Sequence, residues 1–328
     1  MSAHPSTSPP TGRITLVLLA VVAGAIAFPW HSLRERWVLG VAIAAVIVLL
    51  ARWQGLPVTT IVRRRLTILR PDRGARRGPE SVTDVRATAL LRVTPPLGDA
   101  DSLPLALIAG YAQRYGLRAD AIRVTSRDST SEVGTRERET WIGVTLAAAD
   151  NLAALQARSA RIPLHETTEV AARRLADHLR ESGWTASLAN PDDVPAPCPR
   201  SARETWSGVS QGSSNHIAAY GVKVDTALPN TLAAIWSYPV PEVWTAVEMS
   251  GIGDDQTLAV ACAFLTDAAL GASGPLPGLI SKSGIQRAAL TALDPLSSQR
   301  LDGHVALAES LLLERLRWTS VAQPQPIA

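Results

Sequence analysis

The chain opens with ITLVLLAVVAGAIAFPW (residues 14–30) and WVLGVAIAAVIVLLARW (residues 37–53), two apolar runs joined by residues 31–36. Each run has 17 residues, or about 25 Å of helix at roughly 1.5 Å per residue. That approaches the roughly 30 Å hydrocarbon core of a bilayer, and the tryptophans at the run ends suit the headgroup level. Neither run has a polar face, which disfavours the alternative of a buried hairpin in a soluble protein. The sequence therefore predicts a transmembrane hairpin over residues 14–53, with helices 14–30 and 37–53.

Arginine placement predicts how this hairpin is oriented. Residues 52–92 contain ten arginines and three acidic residues, and such an excess marks the cytoplasmic side of the inner (plasma) membrane. We therefore expect both termini in the cytoplasm, with residues 1–13 as a tail and residues 54–79 as a basic membrane-proximal linker. A cleaved signal peptide is the alternative, because Ala25 and Ala27 resemble a cleavage site, but cleavage would leave the arginines on the wrong side.

The remaining composition excludes some partners. The net charge of +3 lies mostly in the membrane-proximal arginines, so the sequence predicts contact with the lipid bilayer and no nucleic acid. Cys198 and Cys262 have no partner motif and are interpreted as packing residues of a reducing compartment.

Residues 80–322 show strand and helix patterns that predict one cytoplasmic α/β (α+β) domain, and residues 323–328 are expected to be a disordered tail. In the first half we predict strands at 82–93, 121–124, 141–146 and 184–188, helices at 103–115 and 167–181, and an exposed charged turn at 127–139. Val170, Leu175 and Leu179 are predicted to face inward from the second helix, and Gly183 to end it.

This order, strand, helix, strand, strand, helix, strand, is that of ferredoxin-like βαββαβ folds. A proline-rich break at 190–203 is a candidate internal boundary before a second α/β half. There we predict strands at 216–224, 243–249 and 258–265 and a helix at 305–318; a duplication of the first half stays an open alternative.

Three motifs resemble catalytic or ligand sites, and each has a simpler interpretation. Residues 208–212 (GVSQG) match the nucleophile elbow around Ser210, with Asp254 and His304 following, but a Gly-Ser loop comes next where a helix is needed. Residues 165–169 (HETTE) lack the second zinc ligand and suit a helix start, and His178 has no ligand cluster around it. Residues 251–255 (GIGDD) suit a turn between strands. We therefore predict no catalytic residue, cofactor or metal, and hence no enzyme.

Three aromatic residues lie around two prolines in the second half. Trp236, Tyr238 and Trp244 are either a partner-binding surface or ordinary packing, and the sequence leaves both alternatives open.

The chain resembles the EccE family in three sequence segments that follow in this order around the apolar runs: RWVLGV (36–41), WQG (53–55) and TTIVRRR (59–65). EccE is a membrane component of the actinobacterial type VII (ESX) secretion system, and the chain is most similar to members from the system for iron and zinc acquisition. The resemblance implies a non-catalytic assembly role with EccB, EccD and the ATPase EccC in protein export.

Membrane and partner contacts are expected at small residues of the two helices and at the arginines that follow them. These are Ala23, Gly24, Ala27, Gly40, Ala44, Ala45, Arg63, Arg64 and Arg65. Two other function classes remain as alternatives: a membrane-tethered hydrolase that uses Ser210, and a membrane-anchored sensor of a small ligand.

Overall fold

The computed structural model describes residues 85–96, 102–131, 135–159, 162–199, 201–212, 215–268, 271, 274–307, 313 and 315–319, with residues 22, 41, 52, 53, 56, 57, 61, 64, 65 and 68. The chain divides into two compact units, residues 1–71 and residues 72–328. The first unit is described at ten positions only.

In the first unit, Val22 and Val41 are helical, and most of the predicted hairpin at 14–53 lies outside the described residues. Strand β1 (Arg52–Trp53) pairs antiparallel with β2 (Leu56–Pro57), so the prediction of a helix through residue 53 is wrong at its end. Glycine and proline within residues 55–57 favour this reversal of the chain. Among the described residues, no helix is both long and apolar enough to cross a membrane.

The second unit is an α+β structure built on one large antiparallel sheet. Its strands are β3 (Arg86–Thr94), β4 (Gln113–Arg114), β5 (Leu117–Thr130), β6 (Arg136–Ala147), β7 (Thr185–Leu188), β8 (Arg203–Glu204), β9 (Val209–Gln211), β10 (Asn215–Val222), β11 (Glu242–Ser250), β12 (Thr257–Thr266), β13 (Leu279–Ser281) and β14 (Val305–Ala306). Its helices are α1 (Leu105–Ala109), α2 (Leu152–Gln156), α3 (Leu164–Glu181), α4 (Leu228–Trp236) and α5 (Gln286–Leu293).

The sheet runs β7-β3-β6-β5-β11-β12-β10-β9-β8 through the described residues. In the first half the elements β3, α1, β5, β6, α3 and β7 follow the predicted order. The helix predicted at 103–115 is wrong at its end, because the α-helix stops at Ala109 and Gln113–Arg114 form β4. The second half repeats part of this plan. Its elements β10, α4, β11 and β12 follow one another along the chain as β3, α1, β5 and β6 do, and its strands lie in the sheet in the order β11-β12-β10, as the first-half strands lie in the order β5-β6-β3. Since β5 and β11 pair from Glu242↔Ser129 to Met249↔Ile122, the sheet is continuous across both halves.

Each face of the sheet carries its own hydrophobic cluster, because successive side chains of a strand point to opposite sides. Helices α1, α3 and α4 cover one face, where Leu91, Ile142 and Phe264 are buried. Helix α5 covers the other, where Trp141 and Trp244 are buried.

Helix α3 shows how its sequence selects the buried side. Leu164, Thr168, Ala172, Leu175 and Leu179 are buried at spacings of three and four residues. Its end at Gly183 is as predicted: this residue has φ +88° and the Trp184 amide donates to the Leu179 carbonyl over 3.0 Å. The prediction that Val170 faces inward is wrong, because that side chain lies on the opposite face and is 42% exposed.

Two further predictions need correction. Residues 127–139 are mostly strand, and Asp128 and Arg138 are buried there because they neutralise each other across β5 and β6. The predicted helix at 305–318 is wrong at both ends. Val305 pairs with Leu258 in the sheet, and residues 316–319 are not helical, although Leu313 is helical.

Candidate functional site

A buried ion pair joins the two central strands at the junction of the halves. Arg123 on β5 and Glu248 on β11 lie opposite each other in register, with their side chains 6% and 0% exposed. The Arg123 Nε donates to Glu248 Oε2 over 2.9 Å, and Nη2 donates to the same oxygen over 2.5 Å. A charge pair this deep is retained only when its remaining hydrogen-bonding capacity is also used.

The other side of Glu248 is bonded by the loop that follows α5. His304 Nε2 lies 3.0 Å from Glu248 Oε1, and the Leu301 amide donates to the same oxygen over 3.3 Å. Burial by itself raises the pKa of Glu248, but hydrogen bonds from His304 and Arg123 and the charge of Arg123 outweigh it, so this pKa lies below its ordinary value. The carboxylate is therefore held ionised.

Arg123 also fixes the backbone of that loop. Its guanidinium donates to the carbonyl oxygens of Asp294 and Ser297, both over 3.1 Å, and of Gln299 over 2.5 Å. The loop after α5 is thereby anchored to the sheet junction through one side chain. Sequence reasoning missed both Arg123 and Glu248. The available signal was a charged residue with apolar neighbours on both sides, Arg123 in Ile-Arg-Val of β5 and Glu248 in Val-Glu-Met of β11, since such residues are rarely buried without a partner.

Above this network lies a polar cavity of about 570 Å³. Its charged and hydroxyl lining comes from both halves: Arg118, Asp120, Asp150, Ser250, Asp255, Thr257, Arg300, Asp302 and His304. Several of these groups are already engaged, since Arg300 donates to Ser250 and the Thr257 hydroxyl lies 3.0 Å from His304 Nδ1. The cavity can hold a small polar group or a partner side chain, but its lining mainly stabilises the loop.

The GIGDD segment forms the rim of this cavity as the predicted turn between β11 and β12. Gly251 has φ +80°, and a Cβ there would lie 2.1 Å from the Asp255 carbonyl oxygen. The glycine is explained by this close approach of backbone, which no other residue tolerates.

Ser210 does not occupy a nucleophile elbow. It lies on the short strand β9, whose partner β10 follows directly, and its hydroxyl donates to the Arg203 carbonyl over 3.5 Å. Its cross-strand neighbour His216 pairs with Thr266 at one end of β12, whereas His304 contacts Thr257 at the other end. Thr257 and Thr266 are the two ends of the strand β12, which has 10 residues and is about 30 Å long, so Ser210 and His304 do not meet.

The two histidines considered as zinc ligands, His165 and His178, lie on α3. His165 is in the first turn, 3.4 Å from Glu169, and His178 contacts Tyr111 and Arg114. Among the described residues no three metal-ligating side chains lie together.

The three aromatic residues are used in packing. Trp244 is fully buried and stacks on Trp141 with ring centroids 6.0 Å apart. Trp236 is 3% exposed on the opposite face and packs edge-on against Trp318 at 5.4 Å. Tyr238 packs on Phe264 at 4.9 Å. The structure thus supports the packing alternative rather than an exposed partner surface.

A second buried ion pair anchors the end of the described chain. Arg138 bonds both carboxylate oxygens of Asp128, over 2.5 and 2.6 Å, and its guanidinium lies 4.6 Å from the centre of the Trp236 ring. Its remaining nitrogen donates to the Thr319 carbonyl over 2.6 Å.

Cys198 and Cys262 are both free thiols, as predicted, and burial raises the pKa of each.

The predicted contact residues of the first unit lie mostly outside the described residues: Ala23, Gly24, Ala27, Gly40, Ala44, Ala45 and Arg63. Arg64 and Arg65 are described and are helical.

Comparison with known proteins covers nearly the whole chain. A family model described as "Putative type VII ESX secretion system translocon, EccE" matches residues 135–222, from β6 to β10. The ESX-3 secretion system protein EccE3 of two Mycobacterium tuberculosis strains is 52% identical over 313 residues, which cover 94% of this chain and 92% of the relative. The protein of the same name from Mycolicibacterium smegmatis is 48% identical over 295 residues, covering 89% and 90%.

Proposed function

Because the chain belongs to the EccE family, as the member of the iron- and zinc-linked ESX-3 type VII secretion system, we propose that it is a non-catalytic structural component of that system's membrane core. It assembles there with EccB, EccD and the ATPase EccC and supports protein export across the inner membrane. The observation that carries this proposal is the similarity to EccE3 over 94% of the chain.

In this proposal the two helices predicted within residues 14–53 span the membrane, with the second ending before the strand Arg52–Trp53. Both termini are cytoplasmic, and residues 80–322 form the cytoplasmic domain. Ala23, Gly24 and Ala27 form one small-residue face, and Gly40, Ala44 and Ala45 form another, where neighbouring membrane helices approach closely. Arg63, Arg64 and Arg65 lie at the cytoplasmic surface, where anionic headgroups or an acidic subunit neutralise them.

The chemistry of the described side chains supports a structural role. The deepest charged groups, Arg123, Glu248, Asp128 and Arg138, bond each other and nearby backbone carbonyls. They hold the sheet junction and the segments after α5 in one arrangement, which suits a rigid docking unit.

Affinity purification from native membranes in mild detergent tests the proposal. We expect EccC and a polytopic membrane subunit to co-purify with the tagged chain in a fixed ratio. Recovery of the chain alone in several detergents, from cells that export ESX-3 substrates, would contradict it.

Replacing Ala23, Gly24 and Ala27 together by leucine should reduce recovery of EccC, whereas three leucine substitutions on a lipid-facing stretch of the same helix should not.

A further inference from the structure

A strained tyrosine lies at the tip of the hairpin between β4 and β5. Tyr115 has φ +55° and is the single non-glycine residue with positive φ among the described positions, and Gly116 beside it has φ +72°. Two consecutive positive φ values define the hairpin turn that favours Asn-Gly, so tyrosine is an unfavourable choice at the first position. Tyr115 is 52% exposed, and its contact with the core is an edge-on approach to the buried Tyr111 ring, with centroids 6.4 Å apart, so burial offsets little of the strain.

Arginines surround this exposed ring. The Arg174 guanidinium lies 4.4 Å from the centre of the Tyr115 ring, and that of Arg114 lies 5.8 Å from it and 4.8 Å from Tyr111. Arg158 donates to the Tyr115 carbonyl over 3.4 Å. The rings hold the guanidinium groups in place without neutralising them, because a cation–π contact leaves the positive charge intact.

These arginines differ from others on the same helix. Arg173 and Arg180 of α3 form ion pairs with Glu169 and Asp177 over 2.8 and 2.6 Å. Within the part of the chain that the structure describes, no carboxylate forms an ion pair with Arg114, Arg158 or Arg174. The hairpin tip therefore carries positive charge that is held in place and ready for an external anion.

We propose that Tyr115, Arg114, Arg158 and Arg174, called here the hairpin-tip surface, dock an acidic segment of a neighbouring protein subunit. Carboxylates of that segment accept hydrogen bonds from the guanidinium groups, and an apolar side chain packs on the Tyr115 ring. This inference rests on the proposed role in assembly and adds the chemistry of one partner contact.

A protein segment fits this surface better than a membrane does. Asp177 and Glu181, three and seven residues after Arg174, lie on the same face of α3, and a flat anionic bilayer that reached the hairpin tip would meet these carboxylates as well. Val170 on α3 and Leu152 on α2 are 42% and 44% exposed. A narrow segment with acidic and apolar side chains can run from Arg174 to Val170, four residues earlier on the same face of α3, and so away from Asp177 and Glu181.

Binding of a defined probe tests the chemistry. The probe is a fluorescein-labelled octaglutamate peptide, with octaglutamine as its neutral counterpart, added to the full chain in phosphatidylcholine nanodiscs. Charge-assisted contacts to two arginines predict that R114Q/R174Q weakens octaglutamate binding roughly tenfold or more. The control R173Q/R180Q makes the same change in charge on paired arginines and should leave binding within roughly twofold.

A second variant separates docking from folding. Y115N supplies the Asn-Gly pair that this turn prefers, so the unfolding temperature should stay the same or rise while octaglutamate binding weakens. Equal octaglutamate binding by all variants would overturn the inference. It would also be overturned if the chain bound phosphatidylglycerol vesicles through the hairpin-tip surface but did not bind the peptide.

Cross-linking in native membranes completes the test. A benzophenone amino acid at Gln113, next to the tip and exposed, should cross-link to an acidic segment of a co-purifying secretion subunit. If EccC co-purifies but position 113 cross-links to lipid alone, the inference fails while the proposed function stands. If the chain is recovered alone, the proposed function fails.

Discussion

At the scale of single residues, Glu248 shows how the environment determines what a side chain does. The same carboxylate on a surface strand would be solvated, but here it is fully buried and bonded by Arg123 and His304. Its geometry is that of a structural link between β5, β11 and the loop after α5. Catalysis would require a reacting atom within reach of a free acid or base, and both oxygens of Glu248 are occupied.

Replacing Glu248 by glutamine should destabilise the protein strongly. The substitution keeps the size of the side chain but leaves the buried Arg123 charge unpaired, which costs about 3–5 kcal/mol. Urea denaturation of the full chain in mild detergent, followed by tryptophan fluorescence, measures the change. The matched control is D177N, which breaks an exposed ion pair and should cost no more than about 1 kcal/mol. Equal losses of unfolding free energy in the two variants would show that the buried ion pair stabilises the protein no more than an exposed one.

Acidification should remove this contribution over a defined pH range. The pKa of Glu248 is lower in the folded chain than its ordinary value of 4.5, so its stabilising effect is complete above that value and is lost as pH falls through the folded pKa. The difference in unfolding free energy between the wild-type chain and E248Q should be constant from about pH 7 to about pH 5, and shrink below pH 4.5. A difference that shrinks already between pH 7 and pH 6 would show that another group controls it.

At the scale of elements, sequence periodicity predicted the amphipathic helix α3 and the strands β10, β11 and β12 closely, but it predicted only residues 121–124 of the long strand β5. Leu175 and Leu179 follow a helical repeat, and strands such as β12 are rich in apolar residues that bury both faces. The turn predicted at 127–139 failed for a physical reason: a run of charges favours solvent unless opposite charges pair across strands. Asp128 and Arg138 meet only after β5 and β6 are in register, and one sequence cannot show that pairing.

The helix predicted at 305–318 was wrong at its end for a related reason. Residues 316–318 alternate between buried, exposed and buried, which is an extended pattern, while the leucine-rich residues before them suggest a helix. Long-range contacts decide the outcome, because the Leu103 amide donates to the Trp318 carbonyl over 2.9 Å and Trp236 receives the indole ring. The candidate site was harder still to predict, since Arg123, Glu248 and His304 are far apart in sequence.

Trp318→Ala should therefore destabilise the second unit. The indole is 1% exposed and packs against Trp236, and removing such a ring costs about 3–5 kcal/mol. Its neighbour gives the control: Arg317 is exposed, and R317A should change the unfolding free energy by no more than about 0.5 kcal/mol. Chemical denaturation of both variants measures their unfolding free energies. A decrease below about 1 kcal/mol for W318A would contradict the proposed anchoring of this segment.

At the scale of the whole second unit, the continuous sheet matters more than the break in the sequence. The proline-rich stretch at 190–203 suggested an internal boundary, and it does separate two strand sets along the chain. Yet β5 and β11 pair along most of their length, and Arg123 and Glu248 form an ion pair across that junction. The halves share a buried interface, so the second unit should behave as one cooperative body.

Separating the halves should expose this interface. Fragments 80–199 and 200–328, expressed individually, each present an unpaired central strand, β5 or β11, and such long apolar edges promote aggregation. Co-expression should restore a soluble heterodimer, because the strands can pair in their native register and Arg123 can meet Glu248. The E248Q substitution in the second fragment should then reduce heterodimer recovery on size-exclusion chromatography, while D177N in the first should not. If either fragment alone is monomeric and unfolds cooperatively, the halves are independent domains and the junction only docks them.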